Sequence, residues 1–119
     1  MTIRRKVPLS LRRQVIERAG GRCEYCRAPE TFSLDTFTLD HIQPITAQGS
    51  DSLNNLAFAC HNCNNRKQDA VSAIDPATGL RAPLYHPRQD VWREHFAWSA
   101  DALTIVPLSP SGRATVARL

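Results

Sequence analysis

Two matched cysteine pairs, Cys23-x-x-Cys26 and Cys60-x-x-Cys63, constrain the folding of this chain more than any other feature. A Cys-x-x-Cys turn is a tight knuckle that presents two thiolates to one point, and two knuckles complete a tetrahedron. Zinc accepts soft thiolate ligands and imposes no d-electron geometry of its own, so it suits such a set. In a secreted small protein the same cysteines could form a disulfide framework. Here the basic start Met1-Thr2-Ile3-Arg4-Arg5-Lys6 is not followed by an apolar signal core, so the chain reads as cytoplasmic. That favours a structural four-cysteine zinc over redox or free-thiol readings. Such an ion contributes on the order of 10 kcal/mol to folding. Its coordination sphere would be closed, so it would not be a catalytic metal. The interval between the pairs exceeds that of a compact zinc ribbon, so a substantial segment is inserted between them.

At 119 residues, 42% of them hydrophobic, the chain is expected to form one domain with a modest core that a staple would help. No apolar run approaches the ~20 residues of a membrane helix. The net charge of +4 is unevenly spread. Eight of the fifteen Lys and Arg residues lie in residues 1–27: Arg4, Arg5, Lys6, Arg12, Arg13, Arg18, Arg22 and Arg27. Residues 28–65 have none, but hold Glu30, Asp35, Asp40 and Asp51. A basic arm before an acidic stretch reads either as a solvated helix face or as a phosphate-gripping surface beside a cation site.

Leu11, Val15, Ile16 and Ala19 recur at helical spacing, with Ser10 as the expected N-cap and Gly20-Gly21 as the stop. Residues 27–35 read as loop. A strand is expected over 36–42, ended by Pro44, followed by a polar loop over 45–55 and a second strand, Leu56-Ala57-Phe58-Ala59. The second knuckle should turn this strand into a helix from about Asn64 to Ala73. Beyond Ile74 the pattern gives a turn at Asp75–Gly79, an extended segment with Pro83, Tyr85 and Pro87, and a short helix or strand over 91–96. A strand over 103–106, a turn at 109–112 and a short helix over 113–119 complete the chain. The fold class is therefore α+β. The core spans about 20–74, with a basic N-terminal helix (1–19) and a C-terminal extension (75–119) packed on it.

Inside the insert stand Asp40 and His41, and Asn64 directly follows Cys63. Aspartate is a hard oxygen ligand suited to Mg²⁺ or Mn²⁺. Neutral imidazole, with a reference pKa near ~6.5, suits a general base. The amide oxygen of Asn64 could complete the protein's share of a cation site. Arg66 and Lys67 add positive charge for a phosphate, and Arg12 and Arg13 are candidates for backbone contact. These parts fit metal-assisted phosphodiester hydrolysis.

Asp40-His41-x-x-Pro44, Gly49, Asp51, Asn55-Leu56, Cys60-x-x-Cys63-Asn64 and Lys67 together resemble the motif of HNH endonucleases. The two cysteine pairs match the zinc-knuckle branch of that family. The resemblance runs from Cys23 to about Lys67, and the flanks resemble small bacterial or phage HNH proteins. It implies a ββα-metal (His-Me finger) core stapled by zinc at Cys23, Cys26, Cys60 and Cys63. His41 would then be the general base. Asp40 and Asn64 would hold one Mg²⁺ or Mn²⁺, and Asn55 would fix the loop and the ring of His41. The implied partner is DNA, with RNA not excluded, and the implied products are a 5′-phosphate and a 3′-hydroxyl. Monomer and homodimer both fit. Two other readings stand beside it: a non-catalytic zinc-stapled nucleic-acid-binding module, and a protein-interaction domain using the aromatic segment Tyr85 to Trp98.

Overall fold

A computed structural model describes residues 7–119. Arg4, Arg5 and Lys6 of the basic arm lie outside the described residues. Helix α1 spans Leu9–Ala19 and buries Val15. Its N-cap is Pro8, not Ser10 as expected, and no side chain caps it. Proline presets the backbone for entry into a helix, and the Pro8 carbonyl accepts from Arg12 N–H at 3.1 Å. Gly20 closes the helix in the left-handed conformation, φ 64°, where glycine carries no Cβ penalty.

The first cysteine knuckle follows. Strands β1 (Thr38–His41) and β2 (Leu56–Ala59) then form an antiparallel hairpin with Asp40 opposite Ala57 and His41 opposite Leu56. All four β2 residues are buried, so this strand is covered on both faces, as its unbroken apolar run requires. Glu24 ties the knuckle to it: Glu24 N–H donates to Phe58 O at 2.8 Å, and Phe58 N–H donates to Glu24 Oε2 at 2.7 Å. Arg88 pairs with the other oxygen of Glu24.

Helix α2 spans His61–Lys67, not the expected run from Asn64 to Ala73. It starts early because Cys60 is its N-cap, with the thiol accepting from Cys63 N–H. It stops early because Lys67 is drawn into the interior, and because residues 72–74 pair elsewhere. Strand β3 (Ser72–Ile74) runs antiparallel to β4 (Arg81–Pro83) around the Asp75–Gly79 turn. Asp75 organises that turn through Ala77 N–H at 2.9 Å and the Thr78 hydroxyl at 3.1 Å.

The segment expected as helix or strand over 91–96 is both: α3 (Trp92–His95) runs into β5 (Phe96–Trp98). β5 pairs with β6 (Ile105–Pro107). Helix α4 covers Pro110–Arg118, earlier than expected, because Ser109 caps it through Gly112 N–H at 2.9 Å and Pro110 opens it. Tyr85 and Phe96 join Val15, Ile42 and Phe58 in one hydrophobic cluster. Arg113 of α4 grips buried Asp75 with two bonds of 2.8 Å, so the C-terminal extension packs onto the hairpin and its turn. The result is a small α+β domain. Among the described residues no helix is long and apolar enough to cross a membrane.

Candidate active site

The sulfurs of Cys23, Cys26, Cys60 and Cys63 all lie within 4.8 Å of one another. Cys26 Sγ and Cys60 Sγ, one from each knuckle, are 3.8 Å apart. Four sulfurs about 2.3 Å from a central zinc would be separated by about 3.8 Å, so the spacing fits tetrahedral coordination. Cys26 N–H and Cys63 N–H point at the Cys23 and Cys60 sulfurs, at 3.5 and 3.4 Å. Such bonds favour the thiolate form. Hydrogen bonds among the sulfurs, that between Cys23 and Cys60 foremost, push the Cys60 thiol down. The same kind of bond, from Cys23 first, pushes Cys63 up. Thiols crowded this closely share protons that a bound metal ion would displace. The cluster could therefore hold a metal ion.

Asp40, His41 and Asn64 line one cleft of about 750 Å³. β1 carries the first two and α2 the third. The Asp40 side chain is only 4% exposed. Its Oδ2 accepts from the Tyr25 hydroxyl at 2.6 Å, and Lys67 Nζ lies 3.3 Å from Oδ1 and 3.2 Å from Oδ2. Burial raises its carboxyl above the ordinary range, while the charge of Lys67 opposes that rise. A carboxylate offers about four lone-pair sites, so these partners leave acceptor capacity toward the cleft. Tyr25 is pushed well above the usual phenol range, first by burial and then by the charge of Asp40, so it stays the donor. His41 is half-buried, and its Nε2 lies 2.7 Å from Asp51 Oδ1.

Residues 23–70 match the family model described as HNH endonuclease. This segment is similar to HNH endonuclease domains. Over 64 residues, 53% of this chain, the sequence is 41% identical to CRISPR-associated endonuclease Cas9 of Corynebacterium diphtheriae. The chain spans only 6% of the length of that relative.

Within the HNH segment, the structure separates residues that the sequence had grouped. Asn55 is buried and acts on the loop: its Oδ1 accepts from Gln43 N–H at 2.8 Å, and its Nδ2 donates to Gln43 O at 3.0 Å and Ser50 O at 2.8 Å. Gly49 sits so close that a Cβ there would fall 1.7 Å from Gln43 O. The ring of His41 is held by Asp51, not by Asn55. Asp51 was missed as a site residue, although its place between Gly49 and Asn55 in the HNH motif was the available signal.

Lys67 corrects the expectation of a phosphate contact. It is 1% exposed, and besides Asp40 it meets His41 O at 3.4 Å and Ile42 O at 3.3 Å. The flexible four-carbon stem carries the ammonium of this helix residue inward, where pairing with the Asp40 carboxylate offsets its burial. Arg12 lines the cleft and donates to Phe37 O at 3.0 Å. Arg13 and Arg66 are exposed and stand outside the cleft lining. Arg66 donates to Asn62 Oδ1, 3.1 Å away, one turn back on α2. Of the aromatic residues, Phe96 is buried and Trp92 packs beside it at 5.3 Å, under the Arg27 guanidinium at 5.3 Å, whereas Trp98 is half exposed.

Proposed function

We propose that this chain is a metal-dependent endonuclease that hydrolyses phosphodiester bonds of DNA, with His41 as general base. The observation that carries this reading is the convergence of Asp40, His41 and Asn64 on one cleft, with the His41 ring held at 2.7 Å by Asp51. When Nε2–H donates to a carboxylate, the neutral imidazole keeps its lone pair on Nδ1. Asp51 therefore selects the tautomer in which Nδ1 takes a proton from water as that water attacks phosphorus. The imidazolium that forms is stabilised by the same carboxylate. The attack breaks the P–O3′ bond, and the leaving 3′ oxygen takes a proton from solvent, so the products are a 5′-phosphate and a 3′-hydroxyl.

Asp40 and Asn64 would hold one divalent cation, Mg²⁺ or Mn²⁺, through hard oxygen donors. Such an ion, when bound, supplies positive charge that stabilises the pentavalent phosphate and the leaving oxygen. Tyr25 and Lys67 orient the Asp40 carboxylate from behind. The four cysteines would hold zinc as a staple, and Asn64, directly after Cys63, would be positioned by that staple. Arg12 is the lining cation placed to meet a phosphate.

The test is a plasmid-nicking assay across Mg²⁺, Mn²⁺ and Ca²⁺, with His41→Ala as control. Metal-dependent nicking that is lost in His41→Ala supports the reading. Equal cutting by both proteins, or none by either across DNA and RNA substrates, favours the non-catalytic nucleic-acid-binding module instead.

A further inference from the structure

Gln68 occupies a backbone conformation that its residue type disfavours. It follows directly on α2 with φ 51° and ψ −129°. These angles match the first central position of a type II′ turn, which favours glycine. Ala70 N–H closes the turn on Lys67 O at 3.0 Å. Gln48, by contrast, sits at φ 66° and ψ 27°, in the ordinary left-handed region. The backbone around Gln68 has little room to relax. Lys67 is pinned by Asp40 and two carbonyls, and Gln68 N–H is committed to Asn64 O at 2.9 Å. Glycine would adopt this turn without strain, yet the chain carries a long polar side chain here.

That side chain is exposed, and Gln68 lines the same cleft as Asp40, His41 and Asn64. Beside it on the lining stand Asn65, Asp69 and Thr46, with the Thr46 hydroxyl 3.4 Å from Asp69 Oδ2. This end of the cleft presents two carboxamides and a carboxylate. A carboxylate repels phosphate, whereas carboxamides match the paired donor and acceptor on base edges, adenine above all. Strained non-glycine residues concentrate where a side chain has work at a site.

We propose that Gln68 is a specificity-determining residue. Its carboxamide, aimed by the strained turn, hydrogen-bonds the edge of an adenine beside the scissile phosphate. The proposal rests on the DNA-cleavage reading above.

Two variants separate the side chain from the strain. Gln68→Ala and Gln68→Gly both remove the carboxamide, but only glycine relieves the turn. Cut sites are mapped on a labelled duplex library, kcat/KM is measured, and each protein is melted at fixed zinc. Both variants should lose about 10-fold in kcat/KM at adenine-flanked sites and flatten the cut-site distribution alike. Gln68→Gly should melt about 3–6 °C above Gln68→Ala. An unchanged cut-site distribution in either variant overturns the proposal, as does a glycine variant no more stable than the alanine one. Anisotropy binding to duplexes with and without adenine, run without Mg²⁺, needs no cleavage. If wild type binds but never cuts, the nuclease reading falls, and the adenine preference in binding and its loss in both variants decide the Gln68 proposal. Absence of DNA binding overturns both.

Discussion

Replacing Lys67 with methionine keeps most of the side-chain volume and removes the charge. Lys67 is 1% exposed and Asp40 4% exposed, so their charges face each other away from water. The ammonium lies 3.2–3.4 Å from two carboxylate oxygens and two backbone carbonyls. Removing one partner of a buried pair leaves an uncompensated charge and costs about 3–5 kcal/mol. Against a total of about 5–15 kcal/mol for a small domain, that is a large fraction. With a urea m-value of about 1.5 kcal/mol per M, the midpoint should fall by about 2–3 M. The assay is urea unfolding with zinc in fixed excess, so that metal linkage is held constant. The double variant Lys67→Met with Asp40→Asn buries a neutral amide instead of a bare carboxylate, and should recover more than about 1.5 kcal/mol relative to additivity. A loss below about 1 kcal/mol in the single variant, or additive losses in the double, would refute the reasoning. A phosphate-contacting lysine makes the opposite forecast: little loss of stability, and a salt slope of DNA binding reduced by about 0.9.

Three further outcomes are expected. Asp51→Ala should lower kcat by about 10²-fold with little change in KM for DNA, because the base loses its tautomer control; stopped-time nicking assays check this, and full activity would sink the role given to Asp51. Cys63→Ser should lose bound metal, fold stability and cleavage together, whereas His41→Ala should retain metal and melting temperature while losing cleavage; metal analysis beside thermal melts separates the two. The Asp75 carboxyl is lowered to about 2, chiefly by its hydrogen bonds from Arg113. A depressed carboxylate stabilises the fold fully above its unfolded value and loses that contribution as pH falls toward the folded one. The melting-temperature gap between wild type and Asp75→Asn should therefore be constant above about pH 5 and shrink toward pH 2. Taking the difference cancels acid effects common to both proteins, and a gap that widens in acid would contradict the sign.

Local signals carried much of the fold. The cysteine spacing, the Gly20 stop, the β2 run and the Asp75–Gly79 turn each depend on residues within a few positions of one another, and each forms where the sequence places it. The misplaced boundaries involve distant partners. α2 ends at Lys67 because Asp40, remote in sequence, holds the lysine, and residues 72–74 become a strand because residues 81–83 arrive to pair with them. Helical propensity has no access to either event.

For the candidate site, the sequence by itself supplied the candidates: four cysteines that could hold one metal ion, and Asp40, His41 and Asn64 within one motif. Residue types and spacing suffice for that, because ligand chemistry is intrinsic to the side chain. The tertiary structure alone decided the assignments. It put Asp51 rather than Asn55 on the imidazole, sent Lys67 behind Asp40 instead of toward a phosphate, and set Gln68 into a turn that glycine would favour. These outcomes depend on which groups are desolvated and on which atoms meet within about 3 Å, quantities that exist only once the hairpin, the knuckles and α2 are packed together.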